Sequence, residues 1–256
     1  MPRKARADSL VFAQGLADSI AHAASLVMAG RVAIQSDRFD PEKVDKPGRQ
    51  FPEHTRFILL PGKIWASRGA LKLLTALETG IVSVEGKVCV DAGASTGGFT
   101  DCLLAHGAKR VYAIDVGRNL LHEKLRHDQR VISMEGINLR NASAGLLPEK
   151  ADFLAADLSF ISLTACVPNF LPWLKPNAAL ALLIKPQFEL APNEMVRGVV
   201  RDEIFRKKAM DKVIGFCTEN CRLDLLCQMP SRIKGPKGNQ EYIAIFKMPA
   251  ERSEPA

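Results

Sequence analysis

Two lysines and two carboxylates stand where a chain would place groups that move protons. Asp157 closes an apolar stretch in Ala156-Asp157-Leu158-Ser159-Phe160, and Lys185 closes another in Ile184-Lys185-Pro186-Gln187-Phe188. Glu241 opens a third after Gly235-Pro236-Lys237-Gly238-Asn239-Gln240, and Lys72 lies on a segment reading IWASRGALKLLTALE. A lysine can act as base toward a weakly acidic hydroxyl when its surroundings favour the neutral amine, and carboxylates beside it orient it and balance charge. Taken singly, each of these residues has a plainer reading as a solvated or salt-bridging charge. For Lys72 alone that reading is the better one. A charge that ends a run as apolar as ALALLIK is harder to explain as casual surface.

The second chemical signal is the loop Val90-Asp91-Ala92-Gly93-Ala94-Ser95-Thr96-Gly97-Gly98-Phe99. Glycines here let a backbone approach a ligand closely. A dinucleotide site requires G-x-G-x-x-G to seat a pyrophosphate on a helix N-terminus. Ser95 occupies the middle glycine position, so that fingerprint fails. Asp91, ahead of Gly93, suits a cationic ligand better than a pyrophosphate. S-adenosylmethionine carries an ammonium and a sulfonium and no phosphate. Asp115 ends the next strand, where it can accept hydrogen bonds from ribose hydroxyls, and Asn138 follows the third strand within reach of an adenine edge. Asp157 ends the fourth strand at the same sheet edge and counts with both sets. The plain alternative is a glycine-rich turn with no ligand.

These residues need a scaffold, and the patterning supplies one. Strands are expected at Val88–Ala92, Arg110–Asp115, Val131–Glu135, Asp152–Asp157, Ala178–Lys185, Leu223–Met229 and Glu241–Phe246, with helical stretches between most of them. Short apolar strands alternating with helices imply a mostly parallel sheet covered on both faces. In such sheets ligands bind beyond the carboxyl ends of the strands. Upstream, Asp8 to Gln14 reads as a short helix, Ser19 as the N-cap of a second, Arg31–Ile34 and Arg56–Leu60 as strands, and Lys46-Pro47-Gly48 as a turn. The division expected is a small module at 1–62, a connector helix at 63–86 with Leu71, Leu74 and Leu77 on one face, a catalytic domain at 87–249 and a polar tail at 250–256.

Of the 256 residues, 47% are hydrophobic, enough for a substantial core, and the formal net charge is +7. That excess suits a polyanion such as nucleic acid, although a soluble protein can also simply be basic. The six cysteines form no CxxC pair; reduced thiols and no metal are expected. The longest apolar run, Ala178 to Ile184, is far below the roughly 20 residues that cross a bilayer. A soluble cytoplasmic protein is the expectation.

From about Ser67 to Phe246 the chain resembles the TlyA family of rRNA 2′-O-methyltransferases, relatives of the FtsJ type. The resemblance rests on SRGALKL, VDAGASTGGFTDCLLAHGAKRVYAIDVG, ADLSFISL, LIKPQFE, GVVRD and GPKGNQEY, which occur in the family's order. It implies a Rossmann-like class I methyltransferase fold, with a seven-stranded sheet whose last strand is antiparallel. It also implies S-adenosyl-L-methionine as cofactor and ribosomal RNA or ribosomal subunits as partner. By this resemblance the family's catalytic tetrad falls on Lys72, Asp157, Lys185 and Glu241, with Lys185 as base. The first 62 residues resemble a small α+β RNA-binding domain of ribosomal proteins, through RADSLVFAQGLADS, VMAGRV and KPG. This chain has Ala7 where the family commonly has Leu, and Ile34-Gln35-Ser36 where the family has a Val-Asn-Gly turn. Arg3, Lys4, Arg6, Arg31, Arg49 and Arg68 are the candidate phosphate contacts, which give affinity without reading sequence. Some members are called haemolysins, so a membrane-active protein is one competing reading. No spanning segment or strongly amphipathic helix stands out in its favour. A non-catalytic RNA-binding assembly factor is another.

Overall fold

The computed structural model describes residues 3–35, 41–60 and 65–250. The chain divides into two compact units, Met1–Arg68 and Gly69–Ala256. The expected boundary at 62/63 and the tail beyond Ala250 fall outside the described residues, as does Ser36 of the expected turn. The helix on the connector lies in the second unit.

The first unit runs β1 (Lys4–Arg6), α1 (Ala7–Ala13), α2 (Ile20–Met28), β2 (Val32–Ile34), β3 (Gln50–Pro52) and β4 (Phe57–Leu59). Ser19 caps α2: its Oγ accepts from the His22 amide at 3.0 Å, satisfying one of the donors a helix start leaves free. β2 pairs antiparallel with β4, and β1 with β3. The sequence pattern does not anticipate β1 and β3, because three residues are too few to show a period of two. Leu10, Val11, Leu26, Val27, Phe51 and Phe57 form the core of this unit, with the two phenylalanine rings edge to face at 5.4 Å.

The second unit opens with α3 (Ala70–Leu77) and continues β5 (Val88–Ala92), α4 (Gly98–Ala105), β6 (Arg110–Asp115), α5 (Glu123–Arg126), β7 (Val131–Glu135), β8 (Ala151–Ala156) and α6 (Val167–Phe170). It ends with β9 (Leu174–Ile184), α7 (Pro186–Glu189), α8 (Glu203–Gly215), β10 (Asp224–Pro230) and β11 (Tyr242–Lys247). The strands form one seven-stranded sheet in the order β10-β11-β9-β8-β5-β6-β7. All neighbours are parallel except β11, which runs antiparallel between β9 and β10. Every residue of β5 is buried, whereas edge strand β10 has only exposed and half-buried positions. That is the difference expected between a central strand covered on both faces and an edge. Trp173, Phe170, Leu154, Leu180 and Phe246 share one core with Val90 of β5 and Ile114 of β6, a buried Leu or Phe being worth about 1.5–3 kcal/mol.

The strand ends position the chemistry. β8 stops at Ala156 and β9 at Ile184, so Asp157 and Lys185 stand one residue past two adjacent parallel strands. β11 runs the other way, with Tyr242 opposite Ile184, so its beginning lies at the edge where β9 ends. Glu241, one residue before β11, therefore joins them. β9 also starts at Leu174, four residues ahead of the expected Ala178. The polar Lys175-Pro176-Asn177 interrupts the apolar signal there without stopping the strand.

Candidate active site

From β5 the chain passes to β6 and β7 on one side, then returns to β8 on the other. The direction reverses between β5 and β8, the place where open α/β sheets bind ligands. There the loop after β5 meets the segment after β8 at close range. A Cβ on Gly93, whose φ is +88°, would lie 2.7 Å from the Asp157 carbonyl oxygen. Gly97 has φ +89°, and a Cβ there would sit 2.2 Å from Leu125 Cδ1. Gly93 therefore requires glycine by conformation and by space, and Gly97 by conformation.

Above this turn lies a cavity of about 400 Å³ lined by Gly93, Ser95, Asp115, Asn138 and Asp157, with Val116, Leu120, Ile137 and Leu158 among its apolar walls. Asp115 is held by two backbone amides: Oδ2 accepts from Ser95 N at 2.8 Å and Oδ1 from Gly117 N at 2.7 Å. Its remaining lone pairs stay available to a ligand. Asn138 Oδ1 accepts from the Arg140 amide at 3.0 Å, which caps a short 3₁₀ turn and fixes the side chain at the cavity wall. The donor set suits an adenosine that carries no phosphate. A carboxylate awaits hydroxyls, apolar walls flank it, and the lining includes a single arginine, Arg140.

Asp91 is placed differently. It is fully buried beneath the loop, where one carboxylate oxygen accepts from Thr100 N at 2.8 Å and Thr100 Oγ1 at 2.6 Å. The other oxygen has no partner. Burial pushes this carboxyl up to about 7, against the opposing pull of the two Thr100 hydrogen bonds. Asp91 thus ties the loop to α4 and does not line the cavity. Ala94, Thr96, Gly97, Gly98 and Phe99 likewise build the turn without lining it: Phe99 is buried and Gly97–Gly98 start α4.

At the other end of the cavity the four chemically suggestive residues converge. Lys185 Nζ lies 2.5 Å from Asp157 Oδ1, and Lys72 Nζ lies 3.6 Å from Asp157 Oδ2 and 2.7 Å from Glu241 Oε2. Glu241 is wholly buried, and Lys72 and Lys185 are 8% and 6% exposed. Three buried charged groups persist only when each has a partner, and Glu241 and half-buried Asp157 supply partners to the lysines as Lys72 does to Glu241. Asp157 touches both lysines and also lines the cavity, joining the two halves of the site. Lys185 Nζ also donates to Ser159 Oγ at 2.8 Å. Ser159 belongs to the ADLSFISL stretch, and residue type alone assigns it no role. Its signal was its place two residues beyond Asp157, on a segment that must cross the sheet edge.

The six basic candidates of the first unit divide. Arg3, Lys4, Arg6 and Arg49 are exposed, Arg3 lying 3.6 Å from Glu53. Arg6 Nε donates to buried Asp8 at 3.0 Å and holds that carboxyl below its ordinary range. Arg31 donates to the Leu60 carbonyl at 2.6 Å, and Arg49 pairs with Glu42 at 2.6 Å while lying over the Phe51 ring. Arg68 is half-buried. Arg6, Arg31 and Arg49 therefore brace their own unit as well as carrying charge.

Residues 65–248 match the family described as FtsJ-like methyltransferase. Over 243 residues the chain is 37% identical to hemolysin A of Brachyspira hyodysenteriae, covering 94% of this chain and 99% of that one. Over 256 residues it is 36% identical to the 16S/23S rRNA (cytidine-2′-O)-methyltransferase TlyA of Mycobacterium tuberculosis, covering 99% of this chain and 93% of that one. A solved structure described as "Putative hemolysin from Streptococcus thermophilus" is 38% identical, with a TM-score of 0.74 over 97% of this chain and 90% of that one.

Proposed function

The chain belongs to the TlyA family of FtsJ-like methyltransferases, and from that premise we propose that it methylates a ribose 2′-hydroxyl of ribosomal RNA, using S-adenosylmethionine. One observation carries this reading. Asp157 lines the cavity that fits the cofactor's nucleoside and simultaneously holds both buried lysines. The group to be transferred and the groups that handle protons therefore meet at a single carboxylate.

When bound, S-adenosylmethionine supplies an electrophilic methyl on a sulfonium. Asp115 would accept hydrogen bonds from its ribose hydroxyls, and the turn at Gly93 and Ser95 would let the ligand lie against backbone. Lys185 Nζ takes the proton of the attacking 2′-hydroxyl, while Asp157 and Ser159 fix where that amine points. General-base help of this kind is worth about 10²–10⁴-fold. Lys72, bridged between Glu241 and Asp157, holds both carboxylates in place. The basic side chains Arg3, Lys4, Arg6, Arg31, Arg49 and Arg68 add affinity for RNA phosphates. A protein with this substrate works in the cytoplasm, and among the described residues no helix is long and apolar enough to cross a membrane.

The test is to incubate the protein with methyl-labelled cofactor and separated ribosomal subunits, then map any modified ribose. Label should enter RNA at a 2′-oxygen, and Lys185→Ala should abolish it while still binding the cofactor. A folded protein that binds cofactor and labels neither subunit would fit an assembly factor instead.

A further inference from the structure

Two stretches quoted in the sequence, GVVRD and GPKGNQEY, have no part in the chemistry above except for Glu241. The structure brings them together. Val199, Val200 and Arg201 from the first, and Lys237, Gly238, Gln240 and Tyr242 from the second, line one cleft of about 470 Å³, together with Lys234 and Arg206. Asn239 clasps the two loops. It is 3% exposed, its Oδ1 accepts from Val200 N at 3.0 Å, and its Nδ2 donates to the Gly198 carbonyl at 2.9 Å.

The cleft is lopsided in charge. Four of its nine lining residues are Arg201, Arg206, Lys234 and Lys237, and no carboxylate lines it. Among the described residues none of the four forms an ion pair. Two of the four touch backbone carbonyls instead: Arg206 on Arg201 at 3.1 Å and Lys237 on Arg197 at 3.5 Å. Arg206 Nε is buried with no hydrogen-bond partner. Lys237 sits at φ 57°, a left-handed conformation that costs a lysine energy. Like charges gathered without counter-ions repel one another, and an anion relieves that repulsion.

The location names the anion. The cleft lies on the loop that covers the catalytic carboxylate: a Cβ on Gly235 would sit 1.9 Å from Glu241 Oε1. Tyr242, in the cleft lining, pairs in register with Ile184, the residue before Lys185. We propose that this cleft binds a backbone phosphate of the substrate RNA strand, next along the strand from the ribose presented to Lys185. The proposal rests on the RNA methyltransferase reading for its substrate. It adds a place on the catalytic unit itself that fixes the strand's direction across the site.

The test is the full-length Arg201→Gln/Lys237→Gln variant, both positions being exposed, with Arg201→Lys/Lys237→Arg as its charge-conserving partner. Binding of purified ribosomal subunits is measured by filter retention across a salt series, so the readout does not depend on turnover. Removing the charges should weaken binding about tenfold or more and make the logarithmic salt slope shallower by about one for each cation lost. The conserving variant should restore both. S-adenosylmethionine affinity and kcat at saturating RNA should stay at wild-type values, while KM for RNA rises. Unchanged affinity and slope in the charge-removed variant overturn the proposal, and so does failure of the conserving variant to rescue. A site for free anion would also overturn it. In that case inorganic phosphate raises the melting temperature of wild type and not of the variant, with RNA binding equal. A wild type that binds RNA with the steep slope yet transfers no methyl group sinks the enzymatic reading and leaves the cleft standing.

Discussion

Replacing Lys72 by Met takes the partner from a carboxylate that has no contact with solvent. Lys72 Nζ lies 2.7 Å from Glu241 Oε2, with the lysine side chain 11% exposed and the glutamate side chain 0%. Asp157 keeps its contact with Lys185 at 2.5 Å, so the damage falls on Glu241. Removing one member of a buried pair costs about 3–5 kcal/mol, because the other charge is left desolvated and alone. A unit the size of Gly69–Ala256 loses about 2–4 °C of melting temperature per kcal/mol, so Lys72→Met should melt about 6–20 °C below wild type. Adding Glu241→Gln removes the stranded charge, and the double variant should recover most of that loss. The coupling energy from the four proteins is the measure. Methyl transfer should fail in both variants, which separates the role of the pair in the reaction from its role in the fold. A Lys72→Met protein as stable as wild type, or a double variant no better than the single, would refute the argument that Glu241 depends on Lys72 for its burial.

Lys185→Arg should fold, bind cofactor and fail in single-turnover methylation, because a guanidinium stays protonated and cannot take the hydroxyl proton; near-normal rates would leave Lys185 as a positioning group only. Asp115→Ala should weaken S-adenosylmethionine binding about tenfold or more, since charged acceptors make the stronger hydrogen bonds, and unchanged affinity in calorimetry would remove Asp115 from the cofactor site. The Asp91 carboxyl is raised from 3.8 to about 7 in the folded protein, so the fold holds a proton there that the unfolded chain has released. Its contribution to stability is full below pH 3.8 and lost as pH rises through about 7. Asp91→Asn should therefore lack the decline that wild type shows across that window in denaturant titrations, and identical pH profiles would count against the buried, half-partnered carboxylate.

How far the sequence foretold this arrangement depended on how local each signal was. β5, β6 and β7 lie where their apolar runs place them, because each run is bounded by polar residues and each strand is short. β1 and β3 escaped, since Lys4-Ala5-Arg6 and Gln50-Phe51-Pro52 become strands only by pairing with each other. Asp157 and Lys185 were legible as strand-closing charges. The meeting of Lys72 with Glu241 was not, because it joins a helix before the sheet to the start of its last strand, and only the family resemblance pointed there. Asp91 was legible as part of the loop, but its burial against Thr100 was not, because that contact joins the strand end to the helix after the turn. Ser159 gave no periodic signal at all, as its hydrogen bond to Lys185 spans two loops.

The antiparallel strand has a consequence for the order in which the molecule can be made. β10 touches no other strand of the sheet except β11, and β11 is synthesised after it. Until residues 242–247 emerge, β10 has nothing to pair with and β9 presents an open edge of Leu180, Leu182 and Ile184. Glu241 arrives in the same late segment. Lys72, made some 170 residues before Glu241 by the numbering, has until then only Asp157 as a carboxylate partner. Long-range pairing of this sort is slow and leaves apolar edges exposed in the meantime. Completion of the sheet and completion of the Lys72–Asp157–Lys185–Glu241 quartet are therefore one event: the four side chains meet only when the strand that seals the hydrophobic edge has been threaded between its neighbours.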